Sequence, residues 1–327
     1  MASSRPTVSV VLTTCNRRER LPEVLEPLLA DPGALEIIVV IDACRDGSLE
    51  LVEEMAAERP VLRPLMLTEN VGQGRARMAG VRSARGEVIL SLDDDVMARP
   101  GLVSGHRRHH ARAPGRVVLG YMPTLLPQPR RAGQIGPIEY ATSYEEHCQE
   151  YERDPRTILT HFWGGNFSVG RRELLDAERT VERLPPLYHE DKILGLSFLR
   201  AGLEPVFDRA LAAEHRYERS FGAYLHDAER MGASHPVLHA AFPELIGPYR
   251  YDNEISAVGP RIRPLVRIAD RPRARPLVLV VLRSAVAATG RLRAFAVEER
   301  LARAAVRIQD RRGAREARPI PTGETSC

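Results

Sequence analysis

A chain of 327 residues that is 43% hydrophobic and 28% charged can build one large or two ordinary globular cores, which excludes a disordered polypeptide. Its 47 basic and 43 acidic side chains nearly cancel, and a net charge of +4 leaves no large field, so no nucleic-acid partner is expected. No apolar run reaches the roughly 18 residues of a transmembrane helix, and Cys15, Cys44, Cys148 and Cys327 form no C-x-x-C pair of a zinc knot or redox dithiol. Met1 to Pro6 lead into a strand without the apolar region of a secretory leader, so a cytoplasmic, reducing environment is expected.

Residues 8–12 predict a first strand, and 21–29 repeat at helical spacing. The alternation returns three times: strand 35–41 with helix 48–57, strand 61–67 with helix 74–84, and strand 87–92 with helix 101–111. A fifth strand is predicted over 117–121. Such alternation implies βαβ units and a largely parallel sheet, and strands apolar on both faces need helices on both sides. Residues 123–137, rich in Pro and Arg, read as a loop over the sheet edge. Beyond it come a helix at 138–152, a returning strand at 162–169, a helix at 188–201, a late strand at 205–213 and a helix at 220–231. The pattern breaks between 235 and 260, at His235-Pro236, Pro243 and Gly247-Pro248. The expected architecture is α/β: a mostly parallel, Rossmann-like sheet flanked by helices, then an Arg-rich helical C-terminal extension over 236–310 and a disordered tail over 311–327.

The fourth strand, Glu87-Val88-Ile89-Leu90-Ser91-Leu92, ends abruptly in Asp93-Asp94-Asp95. Three carboxylates crowded at a strand end repel one another unless a cation sits among them. Oxygen ligands of this kind suit Mg²⁺ or Mn²⁺, whose remaining positions commonly go to phosphate oxygens. A plain acid-rich loop is the alternative. In open α/β sheets ligands bind at the carboxyl ends of the strands. Strand one ends in Thr13-Thr14-Cys15-Asn16-Arg17, strand two in Asp42 with Asp46-Gly47-Ser48 beyond, and strand three is followed by Asn70-Val71-Gly72-Gln73-Gly74-Arg75-Ala76-Arg77. This inventory fits a nucleoside diphosphate: a carboxylate for base or ribose donors, a guanidinium for phosphate, a cation for the diphosphate. Asp46-Gly47 reads more simply as a turn. A phosphate loop is excluded, because Lys192, the only lysine, lies in no G-x-x-x-x-G-K-[ST] motif, and strand one lacks the glycines of a dinucleotide fingerprint.

In this order the motifs resemble family 2 glycosyltransferases of the GT-A fold: Val10-Val11-Leu12-Thr13-Thr14-Cys15-Asn16-Arg17, Val40-Ile41-Asp42, Asn70-x-Gly72-x-x-x-Ala76-Arg77, Leu92-Asp93-Asp94-Asp95, Trp163-Gly164-Gly165-Asn166-Phe167-Ser168-Val169 and His189-Glu190-Asp191-Lys192. The resemblance covers roughly residues 6–220. It implies a metal-dependent transfer from a nucleotide-diphospho sugar (UDP, GDP or dTDP) to an unknown acceptor, with inversion. Asp95, Asp93 and His215 would hold Mn²⁺ or Mg²⁺. Asp191, with Glu190 beside it, would act as the general base. Thr13, Asn16, Arg17, Asp42, Arg77, Asp93, Asp94, Gly165 and Asn166 would line the donor site. The family usually has two acids at the second strand end, whereas here Ile41-Asp42 is followed by Ala43-Cys44, so only Asp42 is carried over. On this reading residues 1–235 form the catalytic domain, with a nucleotide-binding half to about 122 and an acceptor half from 123.

Other features stay closer to structural readings. An acid such as Asp191 in a first helical turn also interacts with the helix dipole. Trp163 could stack on a sugar or sit in the core, and Gly164-Gly165 would let the backbone approach the donor. His106, His109 and His110 lie at i, i+3, i+4 spacing among arginines and read as a solvated face rather than a metal site. The basic amphipathic stretch from Leu292 to Ile308 would pack on the catalytic domain, form a homodimer, or lie on the inner face of a membrane as a peripheral contact. Two other classes compete: a haloacid-dehalogenase-type phosphatase, which also uses Asp-x-Asp but on its first strand, and a nucleotide-sugar-binding protein without turnover.

Overall fold

The central strand, β1 (Val8–Thr14), is buried at all seven positions, as expected of a strand apolar on both faces. The computed structural model describes residues 6–184, 187–188, 190–250, 260 and 262–317. Parallel neighbours flank β1: β2 (Ala34–Asp42) on one side and β4 (Val88–Asp93) on the other, with β3 (Leu62–Leu67) beyond β2. The register sets Thr13 beside Val40 on β2 and Asp93 on β4, so these strands finish level and present their terminal residues together. Beyond β4 come β7 (Asn166–Gly170), antiparallel to β4, then β6 (Arg116–Tyr121), β8 (Glu204–His215) and the short β5 (Val96–Ala98). The sheet order is β3-β2-β1-β4-β7-β6-β8-β5.

Helices α1 (Leu21–Leu29), α2 (Ser48–Glu58), α3 (Gln73–Ser83) and α4 (Leu102–Arg112) follow the first strands as the alternation predicts. α3 lies close on β1 and β2 because Gly80 has no side chain: a methyl there would come within 2.5 Å of Val11 and 2.8 Å of Val40. Two elements escape the sequence reading. One is β5, too short to show periodicity. The other is α6 (Arg171–Arg183), which buries Leu174 and Ala177 against the same core. The helix predicted at 138–152 begins earlier, as α5 (Ile135–Arg153), and that at 188–201 is α7 (Glu190–Arg200).

The histidines of α4 overturn the expectation of a solvated face. His106 is fully buried and His110 nearly so. Asn166 donates its amide to the Leu211 carbonyl (3.0 Å) and so must accept at Oδ1. His106 therefore donates from Nε2 (3.1 Å) and accepts the Ser168 hydroxyl at Nδ1 (2.8 Å), which leaves the Ser168 oxygen to accept from His110 Nε2 (2.8 Å). His109 bonds Asp208 at 2.8 Å. Helical spacing put the three rings on one face correctly, but periodicity carries no sign for whether a polar stripe meets water or a polar core partner.

The chain divides into two compact units: residues 1–125, 145–184 and 190–216 carry the sheet, and residues 126–144, 185–189 and 217–327 carry a helical assembly. In the second, α8 (Phe221–Ala241) runs straight through Pro236, where a break was expected. Close packing outweighs the roughly 3 kcal/mol an internal proline costs a helix. Gly232 of α8 abuts the backbone of Asp310 on α12 (Phe295–Glu316), and Gly313 of α12 abuts that of Glu229 on α8. α9 (Pro243–Ile246), α10 (Arg263–Ala269) and α11 (Arg275–Arg291) complete the described helices. The tail expected from residue 311 instead continues as helix to Glu316, because buried Arg311 forms a two-pronged ion pair with Asp270 (3.2 and 2.9 Å). Residues 318–327 lie outside the described residues.

Two stability predictions follow from this packing. Burial, with the neighbouring histidine charges adding, pushes the His106 pKa down to about 3 and that of His110 to about 4. Both rings are neutral when folded but protonate near 6.5 when unfolded, so the unfolded chain binds more protons and stability rises with pH between about 4 and 6.5. Thermal melts should show a midpoint that falls steadily from pH 7 to pH 5, and a flat midpoint over that window would contradict the assignment. Gly80→Ala should destabilise the fold by about 1–3 kcal/mol in urea titrations, since the methyl overpacks a rigid core contact.

Candidate active site

The acids at the β4 end are met by two arginines and a histidine. Arg17, just past β1, donates to Asp94 Oδ1 (2.7 Å) and Asp95 Oδ2 (2.8 Å). His215, at the end of β8, places Nε2 3.4 Å from Asp95 Oδ1. The unforeseen β5 makes this meeting, because Val96 pairs with His215 across the antiparallel edge. Asp93 accepts from Gln73 Nε2 at 2.6 Å and stands 3.5 Å from Arg77 Nη2. The other end of the Arg77 guanidinium, Nη1, donates to Asp191 Oδ1 at 3.3 Å. One buried arginine on α3 thus ties the strand-end carboxylate to the acid in the first turn of α7. Gln73 was read only as part of a loop; its place at the start of α3, a helix of mixed polarity, gave no sign of this role.

The electrostatics follow from that crowding. Burial raises Asp93 to about 7; Arg77 opposes the shift, while Asp95 and Asp191 add to it. Asp95 is held down at about 2, because the His215 bond and charge, then Arg17, outweigh its burial. Burial also works against the charge on Arg77, but Asp191, Asp93 and Glu190 overcome it and raise its pKa. A buried carboxyl beside two others takes a proton unless a cation takes the proton's place.

Three glycines make room for the acids. A methyl at Gly164 would lie 2.6 Å from Asp191 Oδ1, one at Gly165 would lie 3.0 Å from Asp93 Oδ2, and one at Gly74 would strike the Glu190 carboxylate. The Gly164 amide also donates to Asp191 Oδ2 (3.1 Å), and the Asp93 amide donates to the Gly165 carbonyl (3.1 Å). Gly164-Gly165 was expected to admit the donor; in the structure its missing side chains seat the protein's own carboxylates.

Other expected donor residues have internal roles. Asp42 is buried and accepts from the amides of Val71 (2.8 Å) and Gly72 (3.0 Å), which latches the loop before α3. Asn70 closes the latch by donating to the Asp42 carbonyl (3.2 Å). Asn166, expected to contact the donor sugar, has a wholly buried side chain engaged by His106 and Leu211. Arg77 lies within the acid cluster as a buried bridge rather than an exposed phosphate clamp. Thr13 is nearly buried, level with Asp93. Asn16 follows β1 in the left-handed region (φ 53°), as does Ala43 after β2 (φ 53°), a conformation Asn tolerates better than Ala. Asp46 accepts from the Ser48 and Arg18 amides, as a turn residue does. His189 of the sequence motif lies outside the described residues.

For a divalent ion, Asp95 and Asp93 would offer two hard carboxylates of the kind that suits Mn²⁺ or Mg²⁺, and His215 a softer imidazole nitrogen beside them. Among the described residues no three such side chains are already gathered at ligand spacing. The fit is that of a partial shell completed by a ligand's oxygens and water.

A sequence model of the family described as "Glycosyl transferase family 2" matches residues 9–177. The chain is 40% identical over 98 residues to an undecaprenyl-phosphate 4-deoxy-4-formamido-L-arabinose transferase of Pseudomonas fluorescens (strain SBW25), covering 28% of this chain and 29% of that protein. The protein of the same name from Aeromonas hydrophila is 37% identical over 98 residues, again 28% of this chain and 30% of the relative. The matched stretch is thus less than a third of these relatives' length. Among solved structures the chain resembles the mannosyltransferase PcManGT from Pyrobaculum calidifontis in complex with GDP-Man and Mn²⁺, with a TM-score of 0.58 and 17% identity, covering 93% of this chain and 86% of that one. At that identity the likeness establishes the fold, which is the one the motif order implied.

Replacing Arg77 with Gln should cost about 3 kcal/mol of stability, because it leaves carboxylates in a buried cluster without their counter-charge. Arg77→Lys should recover only part, since one ammonium cannot reach both acids as a two-ended guanidinium does. Urea unfolding of the three proteins measures it, and equal midpoints would show that the bridge carries no weight.

Proposed function

This chain belongs to glycosyl transferase family 2 and is a glycosyltransferase, and on that premise we propose that it moves a sugar from a nucleoside-diphosphate donor to its acceptor with inversion, assisted by a divalent ion. The observation that carries this reading is the Arg77 bridge, with Asp93 at one end (3.5 Å) and Asp191 at the other (3.3 Å). It fixes the distance between the acid expected on the diphosphate side and the acid expected on the acceptor side.

Asp95, His215 and Asp93 would hold Mn²⁺ or Mg²⁺, and an ion bound there supplies positive charge to the diphosphate as it leaves. Arg17 fixes the Asp95 carboxylate and is itself partly exposed, so it adds a second positive charge on that side. Asp191, held at one oxygen by Arg77 and at the other by the Gly164 amide, is oriented as a base. It would take the acceptor's hydroxyl proton while the oxygen attacks the anomeric carbon opposite the leaving diphosphate, and that geometry inverts the centre. The Glu190 carboxyl, raised mainly by burial, lies against Gly74 and adds to the negative field around Arg77.

A second reading concerns the acceptor. The matched relatives bear a name that specifies undecaprenyl phosphate. A phosphate acceptor is already anionic near neutral pH and needs no base.

Asp95→Asn should abolish Mn²⁺-dependent turnover of the donor found in a binding screen of UDP-, GDP- and dTDP-sugars, in protein that still melts cooperatively though at a lower midpoint. Asp191→Asn separates the acceptors: a hydroxyl acceptor loses about 10²–10⁴-fold in kcat, whereas a phosphate acceptor loses much less. Gly164→Ala should lower kcat with little change in donor affinity, because the atoms nearest the methyl are those of the Asp191 carboxylate. Turnover near wild type in both Asp variants sinks the mechanism.

A further inference from the structure

α11 is largely apolar, and among the described residues it packs along one side. Leu282, Val286 and Gly290 face the other helices, and Leu282 joins the cluster of Leu225, Val266, Ala305 and Ile308. The opposite face, at i, i+3, i+4 spacing, carries Leu277 (69% exposed), Val280 (60%) and Val281 (58%), and Leu292 (79%) stands exposed separately just past the helix end. Soluble surfaces carry scattered apolar residues, but three large ones clustered on one helix face mark a contact face.

The charge around that face has one sign. Between residues 263 and 316 the chain has fourteen arginines and five acids. Every one of those acids is engaged within this unit: Asp270 by Arg311, Glu298 and Glu299 by Arg130, Asp310 by His235 and Glu316 by Arg275. Arg273, Arg283, Arg291 and Arg293 are exposed before, beside and after it. A second copy of the same face would bring arginines against arginines. A surface of anionic lipid headgroups meets both features at once, taking the apolar side chains into the acyl boundary and the guanidiniums at the phosphates. No described helix is long and apolar enough to cross a membrane, so α11 would lie in the plane of the interface.

We propose that the exposed face of α11, with its flanking arginines, docks this protein on an anionic lipid bilayer. The proposal stands apart from the reaction at the acid cluster, since it needs neither donor nor turnover.

Flotation of the full chain with vesicles tests it. The chain should float with phosphatidylcholine vesicles containing phosphatidylglycerol, more weakly with phosphatidylcholine alone, and more weakly as salt rises from roughly 0.1 to 0.5 M. Leu277→Glu/Val281→Glu should weaken binding at least about tenfold. Arg283→Gln/Arg291→Gln should weaken it roughly fivefold for each charge removed, and only on the anionic vesicles. All four positions are exposed, so the melting midpoints should match wild type. Absence of flotation, or equal flotation of wild type and variants, overturns the proposal. So does a dimer in sedimentation that Leu277→Glu/Val281→Glu converts to monomer, since the face would then belong to a second copy.

Discussion

Negative charge gathered at one end of a parallel sheet is the constraint the site is built around. Asp93, Asp94, Asp95, Glu190 and Asp191 cannot share a buried neighbourhood without compensation, and two guanidiniums supply much of it. Arg17 holds Asp94 and Asp95, while Arg77 spans Asp93 and Asp191. The compensation is incomplete. Asp93 remains at about 7 while Asp95 sits at about 2, so the cluster is electrostatically divided between an acid that favours a proton and one that stays charged. A divalent ion of the kind proposed above would relieve that division, with Asp93, Asp95 and His215 as the residues that would hold it.

Small residues matter here as much as charged ones. Gly74, Gly164 and Gly165 stand where any side chain would collide with Glu190, Asp191 and Asp93. Beneath them, Asn166 and the α4 histidines form a saturated polar network that anchors β7 against the helix layer. The Trp163 to Val169 segment therefore has two jobs. Its glycines open space on the acid side, and its Asn and Ser fasten the strand from below. A network of this kind rigidifies the strand that carries the site.

Much of the sheet half was legible because its signals are local. Strand-helix alternation, buried apolar runs and the acidic stop after Leu92 are each contained within a few residues, and the ordered motifs supplied the family. The less legible parts depend on partners far away in sequence. That His215 meets Asp95 depends on β5, three residues long. That Arg77 bridges two acids depends on α7, more than a hundred residues later. Pro236 reads as a break until Gly232 and Gly313 are seen at a close helix crossing.

The sequence by itself determined which residue types stand at the strand ends, the α/β alternation and the helical, arginine-rich character of the C-terminal region, because backbone periodicity and side-chain chemistry are properties of neighbours along the chain. The tertiary structure alone decided which polar residues face the site and which face the core, and which side of α11 was left uncovered. Asn166 and His106 were turned inward, and Leu277 and Val281 outward, by partners that only folding brings into contact.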